Sequence, residues 1–152
     1  MVELEPDNSN GRLGLADIYR LKGDENAANE QLFIILRNPF VDIDTKIKIL
    51  FTYISKPVKD EQQIEQILNT AKEVCMLHST EAKAYSMYGD LLYNYQKPSE
   101  ALNSYLKAAE LDNSRYQIWQ QILFIESELN QVDDVIKHSE QALELFPNQS
   151  PI

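Results

Sequence analysis

Apolar residues recur along this chain at the three- and four-residue spacing of an amphipathic helix, in stretches separated by short turns. Glycine, proline or amide residues mark the turns at 21–24, 95–98 and 129–132. A short turn between two helices joins them as an antiparallel pair. The pattern therefore predicts an all-α chain of eight helices arranged as four hairpins.

The hairpins repeat with a period of 34 residues, which brings Tyr85 onto Trp119 and Ala108 onto Ala142. The period divides the chain into units at residues 9–42, 43–81, 82–115 and 116–149. The second unit is longer, and we place its extra residues in the turn near 56–60. Residues 1–8 are predicted to close a preceding unit, and residues 150–152 to begin a following segment.

Composition agrees with a helical chain. Of the 152 residues, 43% are hydrophobic and 25% are charged, and the 4 glycines and 6 prolines are too few for many short strands. No apolar run approaches the roughly 18 residues needed to cross a bilayer. We therefore expect a soluble segment without direct membrane contact, in the cytoplasm or the periplasm depending on the sequence upstream.

The formal net charge is −10, and it is concentrated towards the two ends of the chain. Residues 1–8 carry −3 and residues 116–149 carry −5, whereas residues 82–115 are neutral overall. Because this much negative charge repels polyanions, nucleic acid is a poor partner. A protein or peptide is the partner that we expect.

The order of small and large residues within a unit resembles the tetratricopeptide repeat. The third unit shows it best, with Tyr85, Tyr88, Gly89, Leu92, Ala101, Tyr105 and Ala108 at matching positions. Other units depart from the pattern, with Lys46 in the second and Leu123 and Glu126 in the fourth. The resemblance implies an α-solenoid, a right-handed superhelix of about four antiparallel helix-turn-helix units. It also implies a segment of a longer, bacterial-type protein with several such repeats.

Neither end of the sequence has the polar capping helix that a free-standing solenoid needs. Two explanations stay open at this point. The chain is a segment of a longer repeat array, or its exposed end faces pair in a homo-oligomer.

The chain offers little catalytic chemistry, since it has no nucleophile motif, glycine-rich phosphate loop or metal-binding spacing. We expect His78 and His138 to be surface residues or partners of a helix dipole, and Cys75 to be a small buried residue. Glu126 and Glu128 point to different faces of a helix, so they do not form an acid–base pair. No catalytic, cofactor-binding or metal site is predicted.

In the tetratricopeptide family the first helices of successive units line a concave, ligand-binding surface. The resemblance therefore implies these candidate groove residues: Asp17, Arg20, Leu21, Ile47, Phe51, Ile54, Lys83, Ser86, Asp90, Tyr93, Asn94, Gln117, Gln120, Phe124, Ser127 and Glu128. Phe51, Tyr93 and Phe124 would form an apolar row suited to an extended peptide or a helix. Packing of Phe51 and Phe124 between neighbouring hairpins is an equally good alternative.

A carboxylate clamp of the kind found in chaperone-binding members of that family is not expected. Asp17 and Asp90 stand where those members use asparagine. Two carboxylates at these positions would repel the acidic terminus of a peptide.

The sequence therefore predicts a non-catalytic scaffold that binds a peptide or helix of a partner protein in its concave groove. One alternative is a structural or self-assembly module whose uncapped ends pair in an oligomer. Another is an accessory domain of a larger enzyme.

Overall fold

The computed structural model describes residues 8–149, which form eight α-helices joined by short turns. The helices are α1 (Ser9–Leu21), α2 (Glu25–Arg37), α3 (Ile43–Ser55), α4 (Glu61–Leu77), α5 (Ala82–Asn94), α6 (Pro98–Leu111), α7 (Tyr116–Glu128) and α8 (Val132–Leu145). The predicted all-α solenoid of helix pairs is confirmed. Residues 1–7 and 150–152, to which we assigned parts of flanking repeats, lie outside the described residues.

Local chemistry sets where several helices begin. Asn8, Asp24 and Asp42 each accept a hydrogen bond of 2.9–3.0 Å from a backbone N–H in the first turn of α1, α2 and α3. Pro98 opens α6, where its missing N–H costs nothing. Gly23 has a φ of 78° between α1 and α2, a left-handed conformation that glycine adopts without strain.

In three of the four pairs the two helices pack closely on each other, and the second pair is the exception. The pairs α1 with α2, α5 with α6 and α7 with α8 each pack closely, whereas α3 and α4 pack chiefly on α2 and α5. Leu50 is buried in α3 at the repeat position that Gly89 occupies in α5. The fourth unit has Leu123 at that position, and its helices α7 and α8 nevertheless pack closely, so this residue alone does not set the spacing of a hairpin.

The closest approach of two helices in the third hairpin is at Gly89. A Cβ atom at this position would lie 3.0 Å from Cζ of Tyr105 and 3.1 Å from both Cε atoms of its ring. The Tyr105 ring therefore fills the space that a side chain on Gly89 would need. Its hydroxyl lies beside α5 and donates a hydrogen bond to Asp90.

One apolar core runs through all four pairs and includes the predicted small residues Ala101, Ala108 and Ala142. Cys75 is part of it, with its Sγ atom 3.4 Å from the carbonyl oxygen of Ala84. Burial raises the pKa of the Cys75 thiol to about 12. The predicted burial of Cys75 is confirmed. None of the helices in residues 8–149 is both long and apolar enough to cross a membrane.

A carboxylate and an imidazole form a pair inside the fourth hairpin. Glu126 is only 1% exposed, and its Oε1 atom lies 2.6 Å from Nδ1 of His138. The His138 ring also lies against Trp119, with ring centroids 6.1 Å apart. The surface position expected for His138 is therefore wrong, because the imidazole turns inward to meet the only polar side chain that α7 buries.

Candidate functional site

An open groove of about 560 Å³ crosses helices α3, α5 and α7. We call it the central groove, and its lining residues are Phe51, Ile54, Asp90, Tyr93, Asn94, Tyr105, Gln121 and Phe124. Six of these eight residues belong to the set that the sequence predicted. The structure thus brings the first helices of the second, third and fourth units together around one concavity.

Aromatic side chains form the walls of the central groove. Phe51 is 55% exposed and Phe124 is 52% exposed, so neither side chain is packed into the core. The rings of Tyr93 and Phe124 meet edge to face, with centroids 6.0 Å apart and planes at 68°. Phe51, Tyr93 and Phe124 all line the central groove, and the exposure of Phe51 and Phe124 argues against their packing between hairpins.

Two carboxylates lie beside these aromatic rings. Asp90 accepts a hydrogen bond from the Tyr105 hydroxyl, and Glu128 accepts one of 3.0 Å from the Tyr93 hydroxyl. Burial raises the pKa of Asp90, and the hydrogen bond from Tyr105 opposes that rise. The pKa values of both phenols are raised, first by burial and then by the neighbouring carboxylates.

Amide side chains complete the lining. Gln121 is exposed on α7, whereas Nδ2 of Asn94 is shielded from solvent and has no hydrogen-bond partner within the described residues. Amides can donate to and accept from a peptide backbone. The central groove therefore combines apolar walls, negative charge and amide groups.

Sequence reasoning missed Tyr105 and Gln121. Tyr105 lies on α6, the second helix of its unit, and the repeat pattern assigns its position to the core. Gly89 could have indicated that Tyr105 also reaches the groove, because a residue without a side chain leaves the Tyr105 ring room to approach Asp90. Gln121 adjoins the predicted Gln120, and one residue turns a helix by about 100°. The structure places Gln120 at a small cavity beside Leu123 and Phe146 in the last hairpin.

The other predicted residues lie outside the central groove. Arg20 lines a neighbouring groove of about 390 Å³ that it shares with Phe51, and its Nε lies 3.8 Å from Glu25. Lys83 forms an ion pair of 2.6 Å with Asp44. The remaining ones are half-buried, as for Ile47 and Ser86, or exposed, as for Asp17, Leu21, Gln117 and Ser127.

Within residues 8–149 there is no group of three or more histidine, cysteine, aspartate or glutamate side chains placed to hold a metal ion.

Comparisons with known proteins identify the fold. No protein-family model matches the chain. It is 29% identical over 89 residues to the human protein named Protein O-mannosyl-transferase TMTC3, a stretch that is 58% of this chain and 10% of that protein. The chain thus spans about a tenth of the length of this curated relative.

Solved structures of MamA have the same architecture as this chain. One crystal structure of MamA has a TM-score of 0.65 at 18% sequence identity, over 94% of this chain and 75% of that one. The MamA RS-1 ArsTM double mutant has a TM-score of 0.63 at 16% identity, over 97% of this chain and 80% of that one. These likenesses confirm the tetratricopeptide-type solenoid that the sequence predicted.

Proposed function

We propose that this solenoid is a non-catalytic scaffold that holds a segment of a partner protein in the central groove. The observation that carries the proposal is the grouping of Phe51, Tyr93 and Phe124 around one open concavity. Exposed aromatic side chains beside a few polar groups are typical of surfaces that anchor a peptide. The repeat fold holds these rings on rigid helices, so little ordering is needed when a segment binds.

Loss of either exposed phenylalanine should weaken peptide binding. Short random peptides displayed on phage are selected on the wild-type chain, and the enriched peptides are synthesised and titrated by fluorescence anisotropy. We expect Phe51→Ala and Phe124→Ala each to raise the dissociation constant about tenfold or more, because buried aromatic anchors dominate such interfaces.

Phe40→Ala is the matched control, because Phe40 is 90% exposed but does not line the central groove. Its peptide affinity should equal that of the wild-type chain, and all three variants should unfold at the wild-type denaturant concentration. Equal affinity of Phe51→Ala, Phe124→Ala and Phe40→Ala for every selected peptide would contradict the proposal.

Self-association is a second candidate, favoured by one specific surface. Helix α8 leaves Val132, Ile136 and Leu143 exposed, and exposed apolar patches often mark contact sites. If this surface pairs two chains, light scattering should show a mass that rises with concentration for the wild-type chain and stays monomeric for Ile136→Lys. A wild-type mass that is monomeric at every concentration would exclude this candidate.

A further inference from the structure

The charged groups of the central groove are all negative. Among the eight described residues that line it, Asp90 alone is charged, and Glu128 lies at its edge, where it accepts the hydrogen bond from Tyr93. Both carboxylates accept hydrogen bonds from phenols, which are neutral and do not cancel the charge. Within residues 8–149, no lysine or arginine lies within ion-pair distance of either carboxylate.

The two cations in the predicted set of groove residues, Lys83 and Arg20, each lie beside a carboxylate of their own. Lys83 is held by Asp44 at 2.6 Å, and Arg20 lies 3.8 Å from Glu25 outside the central groove. A positive charge at Asp90 and Glu128 would therefore have to come from whatever occupies the groove. An anionic segment would meet the unpaired carboxylates without any compensating cation.

The aromatic walls fit the same type of side chain. Lysine and arginine carry apolar stems that pack along apolar surface, with a charged head that needs a polar partner. Tyr93 and Phe124 offer ring faces and edges beside the carboxylates, and ring faces attract cations. The groove thus offers apolar contact for the stem and negative charge for the head.

We infer that the central groove selects a partner segment that carries a lysine or arginine next to an apolar residue. The basic side chain extends along the Tyr93 and Phe124 rings towards Asp90 and Glu128, and the apolar neighbour lies against Phe51 or Phe124. This inference rests on the proposed function, because it specifies which segment the same groove binds.

The test uses the peptides selected on the wild-type chain, each made again with its basic residue changed to glutamine and to glutamate. Asp90→Asn, which keeps an acceptor for Tyr105, should weaken binding of the basic peptides by about ten- to hundredfold. The glutamine peptides should bind weakly to the wild-type chain and to Asp90→Asn, with nearly the same affinity for both. High salt should weaken the basic peptides alone.

Glu128→Lys is the second variant, because Glu128 is exposed and its replacement leaves the core intact. It should weaken the basic peptides and strengthen binding of the glutamate peptides. Glu65→Gln, an exposed carboxylate on α4 outside the groove, is the matched control and should change neither affinity.

The outcomes separate the inference from the proposed function. If selection enriches neutral or acidic peptides that still depend on Phe51 and Phe124, the charge inference is overturned and the groove function stands. Basic peptides whose affinity is the same for Asp90→Asn, Glu128→Lys and the wild-type chain would also overturn it. If no selected peptide depends on Phe51 or Phe124, the proposed function fails and the inference fails with it.

Discussion

His138→Ala is expected to lower the free energy of unfolding by about 3 kcal/mol at neutral pH, because it removes one partner from a buried pair. Glu126 is 1% exposed, and its Oε2 atom already has no hydrogen-bond partner in the described structure. Without His138 neither carboxylate oxygen would have a hydrogen-bond partner among residues 8–149. Urea denaturation followed by circular dichroism measures the loss.

The loss should depend on pH in a defined direction. Burial raises the pKa of Glu126, and Asp134 adds to this rise while His138 and Lys137 oppose it. A carboxylate whose pKa is higher in the folded state than in the unfolded state binds more protons when the protein is folded. It therefore lowers the free energy of unfolding as the pH rises from the unfolded pKa through the folded pKa. The effect of His138→Ala should therefore be larger at neutral pH than in acid, where Glu126 can be protonated.

A double replacement is the control for this prediction. Glu126→Leu combined with His138→Leu places apolar side chains at both positions and leaves no buried charge. We expect it to recover most of the stability lost in His138→Ala. The pairing would have no energetic role if His138→Ala unfolds at the same urea concentration as the wild-type chain.

Lys46→Met is expected to raise the free energy of unfolding by about 1–3 kcal/mol at neutral pH, because it removes a buried amine that has no partner. Lys46 is 0% exposed, and its Nζ atom makes no hydrogen bond within residues 8–149. Methionine has a similar length and an apolar end, so it can occupy the same space. The change also restores a large apolar residue at a position where the repeat pattern prefers one.

The pH dependence of this gain follows from the surroundings of Lys46. Burial lowers the pKa of Lys46, and the negative charge of Asp42 opposes part of this decrease. His78, at the end of α4, also faces Lys46, and its own pKa is lowered by burial and by the charge of Lys46. Below its folded pKa the lysine is charged in both the folded and the unfolded state, and the folded state bears the full cost. As the pH rises towards 10.5, the unfolded chain binds more protons, so wild-type stability rises and the advantage of Lys46→Met shrinks.

Equilibrium unfolding of the two proteins at neutral and alkaline pH checks the prediction. Lys48→Met is the matched control, since Lys48 is exposed on the same helix and should change stability little. A lower stability of Lys46→Met than of the wild-type chain at neutral pH would show that the amine has a favourable partner.

Much of the fold could be predicted from the sequence because the repeat pattern encodes local packing. Gly89 and Tyr105 stand at matching small and aromatic positions, and the structure packs one directly against the other. The looser second hairpin belongs to the unit in which Lys46 departs from the large apolar residue of the pattern. The 34-residue pattern of small and large residues predicts such contacts because each unit packs mainly on itself and on its neighbours.

The parts that could not be predicted depend on pairings that periodicity does not report. Glu126 and His138 lie on opposite helices of a hairpin, so their contact depends on how α8 lies against α7. Similarly, the choice between Gln120 and Gln121 as the groove residue depends on the rotation of α7. A pattern of small and large residues fixes a helix face only to within about one residue.

Photo-crosslinking from the central groove tests the account most directly. A benzophenone amino acid is introduced at Gln121 in the groove and, separately, at Asn69, an exposed residue of α4 outside it. A labelled peptide selected on the wild-type chain should crosslink to the Gln121 derivative and not to the Asn69 derivative, and unlabelled peptide should compete. Equal crosslinking from both positions, or crosslinking from Asn69 alone, would contradict the central groove as the binding site.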